Sequence, residues 1–260
     1  MTIIRSFFVV LIALLWTVAL IPLQLFILQF LPKKRYLLPQ IYHNGICRLL
    51  RVRVITHGIP STDKPTLFVL NHISWLDIPV VGKTMKGSFV ARTEVEDYPL
   101  FGTFSRLQQT IFIAQTRPSV KTHKDDMQLH LQQGDSIFLF PEGTSSNGII
   151  IQKFKSTYFA LAEQYEGDTP LTVQPVTLAY SQMDNLMMTR GTMIAVAWVG
   201  NEPLLGHIWN FLKTGSVTAE LRFHAPITIK EYESRKKMAI DCQLTITKGL
   251  SRALTDRPEL

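Results

Sequence analysis

Thr66-Leu67-Phe68-Val69-Leu70-Asn71-His72-Ile73-Ser74-Trp75-Leu76-Asp77 is the stretch on which the reading of this 260-residue chain turns. Thr66 to Leu70 is an apolar run with no charge, which predicts a buried strand, and the polar residues begin where that strand must end. Strand ends are where open α/β sheets keep their ligands and their chemistry. His72 and Asp77 are five positions apart, an advance of about 140° net around a helix, so they do not share a helical face. They can meet only across a turn that opens a helix. A neutral imidazole takes a proton from a hydroxyl near neutral pH, and a carboxylate on its other nitrogen fixes the tautomer and stabilises the imidazolium. A surface histidine beside an aspartate in a helix's first turn fits the same residues.

A second strand end follows. Ser136 to Phe140 reads as a buried strand, and Pro141-Glu142-Gly143-Thr144-Ser145-Ser146-Asn147-Gly148 as a polar loop carrying another carboxylate. Phe-Pro-Glu-Gly-Thr about seventy residues after Asn-His-x4-Asp resembles the glycerolipid acyltransferase family, whose best-known members acylate 1-acyl-sn-glycerol-3-phosphate (lysophosphatidic acid). Phe89-Val90-Ala91-Arg92-Thr93-Glu94, Tyr98-Pro99-Leu100-Phe101-Gly102, Thr110-Ile111-Phe112-Ile113 and Val173-Gln174-Pro175-Val176 fall in that family's order, so the likeness runs over roughly residues 50 to 225. The resemblance implies direct acyl transfer. His72 is then the base, Asp77 its orienter, Glu142 an acceptor-binding carboxylate, and donors near Gly143 and Thr144 stabilise the oxyanion. It implies no cofactor, because the acyl-CoA or acyl carrier protein thioester is itself a substrate. Ser74 lies in no Gly-x-Ser-x-Gly elbow and is read as the cap of the helix holding Asp77.

Two departures bear on the acceptor. Members acting on lysophosphatidic acid commonly have arginine after Pro-Glu-Gly-Thr, a residue suited to bidentate phosphate contact, and here it is Ser145. In Phe112-Ile113-Ala114-Gln115-Thr116-Arg117 the family arginine is displaced, with Gln115 at its place. Arg92 and Arg117, with Lys153 or Lys155, are the candidate substitutes. Lysophosphatidic acid is the expected acceptor because it is the family's common one. Lyso-ornithine lipid is the alternative, since Pro-Glu-Gly-Thr-Ser-Ser resembles the branch that acylates it.

Phe7 to Leu31 carries no charge and as a helix would run about 37 Å against a hydrocarbon core of about 30 Å. A cleaved signal peptide fits poorly, because the apolar stretch is long and no small-x-small site precedes the basic residues. Lys33, Lys34, Arg35, Arg48, Arg51 and Arg53 follow it and only Arg5 precedes it. The positive-inside rule then puts the enzyme in the cytoplasm, on a bacterial inner membrane. Pro22 leaves a re-entrant half-hairpin open. Leu38, Ile41, Tyr42, Ile46, Leu49 and Leu50 recur at helical spacing, predicting an amphipathic helix that lies at the interface or packs on the core. Residues 1–50 are thus expected to anchor the protein and 51–260 to form the acyltransferase domain.

The remaining pattern alternates. Strands are expected at 52–55, 66–70, 88–91, 110–114, 137–140, 172–178, 193–199 and 217–223, with helices at 119–133, 155–166 and 230–254. That is α/β, a mixed, largely parallel sheet flanked by helices, with an N-terminal membrane helix. Cys47 and Cys242 lack metal spacing and read as packed, reduced thiols; no metal site is expected. The formal charge of +7 suits anionic lipid and an acidic thioester donor, and no aromatic-basic motif points to nucleic acid. A thioesterase or lipid hydrolase using the same base on water, and a non-catalytic lipid-binding protein, remain as alternatives of other classes. The intact His72, Asp77 and Glu142 argue against the last.

Overall fold

The computed structural model describes residues 2–96, 101–113, 120–200 and 202–255. Its centre is the expected strand β2 (Thr66–Leu70), buried at every position and hydrogen-bonded in parallel register to β5 (Ile137–Leu139) on one side and β6 (Thr172–Met183) on the other. β3 (Ser88–Arg92) and β4 (Ile111–Ile113) extend the parallel sheet beyond β5. Beyond β6, β8 (Val217–Phe223) is antiparallel and carries β1 (Val52–His57) parallel to itself. The order is β1-β8-β6-β2-β5-β3-β4, with the short β7 (Leu186–Met187) folded back on β6. This is the mixed, largely parallel sheet the sequence predicts. The carboxyl ends of β2, β5 and β6 point to one edge, where Asn71-His72 and Phe140-Pro141 emerge.

Helices cover both faces. On one side lie α1 (Thr2–Phe30), α2 (Leu37–Leu49), α3 (Asp77–Thr84), α8 (Arg190–Met193) and α9 (Leu204–Phe211), closing a core that includes Val9, Cys47, Val80, Met193 and Phe211. On the other, α6 (Val120–Gln132), α7 (Ala160–Glu163) and α10 (Arg235–Thr255) supply Met127, Leu161, Met238, Cys242 and Ile246. Two short helices, α4 (Thr93–Glu96) and α5 (Phe101–Leu107), join β3 to β4. Cys47 and Cys242 are free and buried, as expected.

α1 is long and apolar enough to cross a bilayer, yet it does not stand clear of the domain. Ser6, Val9, Thr17, Gln24 and Ile27 form one buried stripe at helical spacing, while Ile4, Phe7, Leu15, Val18, Phe26 and Phe30 are exposed. Arg5 donates to Thr214 O (2.9 Å) just before β8, and Gln24 Nε2 donates to Arg35 O (3.0 Å) and Leu107 O (2.9 Å) near the start of β4. The helix is therefore held at both ends and packs along α2, where Thr17 Oγ1 lies 3.2 Å from the Tyr42 hydroxyl. α2 packs on the core through His43 and Cys47, while Leu37 and Ile41 stay exposed.

Three expectations need correction. Residues 193–199 are not a strand. Met193 ends α8, and the next residues turn through Val196 N–H and Ala197 N–H donating to Met193 O. A short apolar run has no period that separates a strand from a buried turn. Residues 155–166 form a 3₁₀ turn (Ser156–Phe159) followed by the single turn of α7, rather than one long helix. Ser74 does not cap α3: the N-cap position is Leu76, and Ser74 Oγ is buried without a hydrogen-bond partner.

Candidate active site

β2 ends in a side chain that continues its ladder. Asn71 Nδ2 donates to Leu178 O and Asn71 Oδ1 accepts from Leu178 N–H, both at 2.8 Å, so the strand end is tied to β6 just before the turn. The turn then brings His72 and Asp77 together as the spacing requires, with His72 Nδ1 2.7 Å from Asp77 Oδ2. Asp77 Oδ2 also accepts from the N–H groups of Ile73 (2.7 Å) and Ser74 (3.0 Å). Its Oδ1 accepts from the phenol of Tyr180 (2.8 Å) on β6. A fully buried carboxylate tolerates its charge only with such donors around it. Tyr180 is itself fully buried, and burial and the facing carboxylate push its phenol well above the ordinary range, so it stays a donor.

The imidazole lies against the ring of Phe140, centroids 4.4 Å apart and nearly parallel. Nδ1 is committed to Asp77, so Nε2 is the nitrogen left for a substrate on the partly exposed side. The arrangement can take a proton from a hydroxyl and return it to a leaving group.

Glu142 stands beneath this turn. Its Oε1 accepts from His72 N–H (2.7 Å) and its Oε2 from Gln152 N–H (2.6 Å), and its side chain is buried. Burial pushes the carboxyl up to about 7, against the opposing pull of those two N–H groups. Ser146 N–H donates to His72 O (2.8 Å), so loop and turn hold each other through the main chain. Gly143 takes a positive φ of 71°, and a Cβ there would meet Lys155 Nζ at 2.7 Å. Its N–H donates to Phe140 O (3.0 Å) and so closes the turn instead of pointing at an oxyanion. Thr144 is exposed beside it.

Of the expected cations, Arg92 at the end of β3 donates to Gly143 O and Lys155 lies against the same glycine, whereas Lys153 is exposed on the following segment. Arg117 lies outside the described residues. Ser145 Oγ donates to Trp198 O, and Trp198 N–H donates to Ile73 O (3.0 Å). The segment after α8 thereby walls the site. Tyr180, Gln152 and Trp198 carry no sequence signal that ties them to His72, since each comes from a distant part of the chain.

Comparison with known proteins identifies the family and the fold. Residues 51–179 match the profile of the family described as Acyltransferase. A lyso-ornithine lipid O-acyltransferase of Brucella abortus is 33% identical over 98% of this chain and 97% of its own length. A 1-acyl-sn-glycerol-3-phosphate acyltransferase of Neisseria gonorrhoeae is 31% identical over 40% of this chain and 42% of its own. The crystal structure of PlsC, the 1-acyl-sn-glycerophosphate acyltransferase of Thermotoga maritima, covers all of both chains with a TM-score of 0.71 at 19% identity, which shows a shared fold. With full-length similarity to one member and a family match spanning both strand-end motifs, the chain belongs to the acyltransferase family.

Proposed function

We propose that this acyltransferase moves a fatty acyl group from an acyl-CoA or acyl carrier protein thioester to the free hydroxyl of lyso-ornithine lipid at a membrane surface. The observation that carries the chemistry is the His72–Asp77 pair, with Asp77 fixed by three further donors. His72 Nε2 removes the hydroxyl proton as the oxygen attacks the thioester carbonyl. The tetrahedral intermediate collapses with cleavage of the C–S bond, and the imidazolium returns the proton to the departing thiolate. Acyl transfer in this scheme needs neither an acyl-enzyme nor a bound cofactor. Glu142 acts here by holding the His72 turn through its main chain, and Arg92 and Lys155 supply positive charge beside Gly143. Thr144 and Lys153 on the exposed side of this loop are retained as acceptor contacts, and Arg117 is retained as a third.

The head-group choice rests on the relative from Brucella, aligned over nearly its whole length, whereas the Neisseria relative aligns over less than half. Ser145 supports it, because the hydroxyl turns inward to Trp198 O where a phosphate-binding guanidinium would reach outward. A second reading, lysophosphatidic acid as acceptor, draws on the fold shared with PlsC and on Arg92 and Lys155 as partners for a phosphate. In either reading the apolar side of α1 sits in the lipid of the bacterial inner membrane, with the domain on the cytoplasmic side.

The test is to reconstitute the protein with a labelled acyl thioester, offer lyso-ornithine lipid and lysophosphatidic acid in parallel, and identify products by mass spectrometry. Ornithine lipid formed at least about ten times faster supports the proposal. The reverse preference selects the second reading, and free fatty acid without acceptor selects a hydrolase.

A further inference from the structure

The chain between β7 and β8 folds out over the active-site edge, and its last element, α9, is apolar on both sides. Inward, His207 and Phe211 are buried. Trp75, three residues after the proposed base, donates its Nε1–H to His207 Nδ1 (2.9 Å) and meets the Phe211 ring edge-on with centroids 5.6 Å apart. Outward, Leu205 is 71% exposed and Trp209 36% exposed, one turn apart on the same stripe. Lys213 continues that stripe, its ammonium 5.7 Å from the Trp209 ring centre. Ile194, just before, is 73% exposed. A leucine, a tryptophan and a lysine in line on an uncovered helix face are the residue types that settle at a membrane–water boundary.

Continuity with α1 identifies what covers this face. α9 and α1 lie on the same side of the sheet and share one core through Val9 and Phe211. Arg5, near the start of α1, donates to Thr214 O, in the turn that follows α9. Ile3, Ile4, Phe7 and Phe8 beside that contact are more than half exposed. Ile240 and Leu244 of α10 are exposed as well, but on the opposite face of the sheet, between Lys236, Lys237, Asp241 and Lys248. Resting on the reading of α1 as a membrane element, we infer that Leu205 and Trp209 of α9, with Lys213 in the turn that follows, form a second lipid contact, which seats the active-site edge at head-group level. The acceptor hydroxyl then reaches His72 without leaving the membrane surface, and Trp75 couples the contact to the catalytic turn.

The full chain, reconstituted in phosphatidylethanolamine–phosphatidylglycerol vesicles, is labelled with a fluorophore at Leu205→Cys, Trp209→Cys, Phe7→Cys or Lys248→Cys in separate samples. Both native cysteines are fully buried, which confines labelling to the new site. Labels at 205 and 209 should be quenched at least twofold by nitroxides carried near the lipid head group and be shielded from aqueous iodide. The label at 248 should behave in the opposite way. If 7 is lipid-quenched while 205 and 209 are iodide-accessible, the second contact is wrong and the membrane reading of α1 stands. If all four are iodide-accessible, both fall. Shielding of 205 from iodide without lipid quenching overturns the inference in favour of a protein partner.

Discussion

Asp77 accepts four hydrogen bonds, from His72 Nδ1, two main-chain N–H groups and the Tyr180 phenol, and each donor has a separate task. The main-chain pair shapes the turn, and the phenol holds the carboxylate from the far side. Asp77→Asn should lower kcat by at least about 100-fold, because the amide can select the wrong imidazole tautomer and no longer offsets its charge. Near-normal turnover would reduce Asp77 to a turn-forming role. Tyr180→Phe keeps the ring and removes only the donor, leaving a buried carboxylate oxygen unpaired at a cost of about 1–3 kcal/mol. With one of its four donors gone, Asp77 holds the imidazole less firmly, so kcat should fall while KM for the acceptor changes little. A purely structural tyrosine would lower stability and leave kcat of the folded protein in place. His72 and Asp77 were legible in the sequence because a turn of six residues contains both. Tyr180 was not, since only the pairing of β2 with β6 carries it across 103 positions.

The loop after β5 is an element braced from within. Glu142 spans His72 N–H and Gln152 N–H, so a carboxylate that the family resemblance reads as a substrate contact has both oxygens on the main chain. Its ordinary value is 4.5 and burial raises it to about 7 in the folded protein. The folded state therefore holds this proton more tightly than the unfolded one. The resulting stability is complete below about pH 4.5 and is lost as pH rises through about 7. Glu142→Gln has no such proton, so wild-type stability should fall relative to the variant over that window, by at most about 3 kcal/mol in thermal unfolding. Parallel pH curves for the two proteins would contradict the burial argument. Ser145→Arg breaks the bond to Trp198 O and offers a guanidinium outward. It should weaken turnover of lyso-ornithine lipid while improving the relative use of lysophosphatidic acid, and unchanged relative use would detach Ser145 from specificity. The central strands β2 and β5 were readable from short uncharged runs. α9 was missed because the apolar run at 193–199 mimics a strand and drew the reading away from the helix behind it.

At the scale of the whole molecule, α1 is both the proposed membrane element and part of the core. Hydropathy alone could read its outward surface, whereas its inner stripe takes its meaning from partners at Tyr42, Arg35, Leu107 and Thr214. A free-standing anchor can be removed without harm to the domain behind it. Deleting residues 1–30 here should both release protein from membranes and lower its thermal midpoint by several degrees, since Val9 and the bonded stripe leave with it. A truncated protein as stable as the full chain would show that α1 only anchors. The polar cluster at the other end, where Arg35 pairs with Asp135 and Tyr36 bonds Ser88 Oγ (2.8 Å), gives the α1–α2 junction its own tie to the sheet. In the proposed mechanism this architecture serves one proton transfer. The most direct test is therefore the steady-state rate of acyl transfer to lyso-ornithine lipid by reconstituted wild-type protein and by His72→Ala, with folding of the variant verified by circular dichroism. A loss of at least about 100-fold with the fold intact is expected, and a folded His72→Ala protein that transfers acyl groups at close to the wild-type rate would contradict the role of His72 as the base.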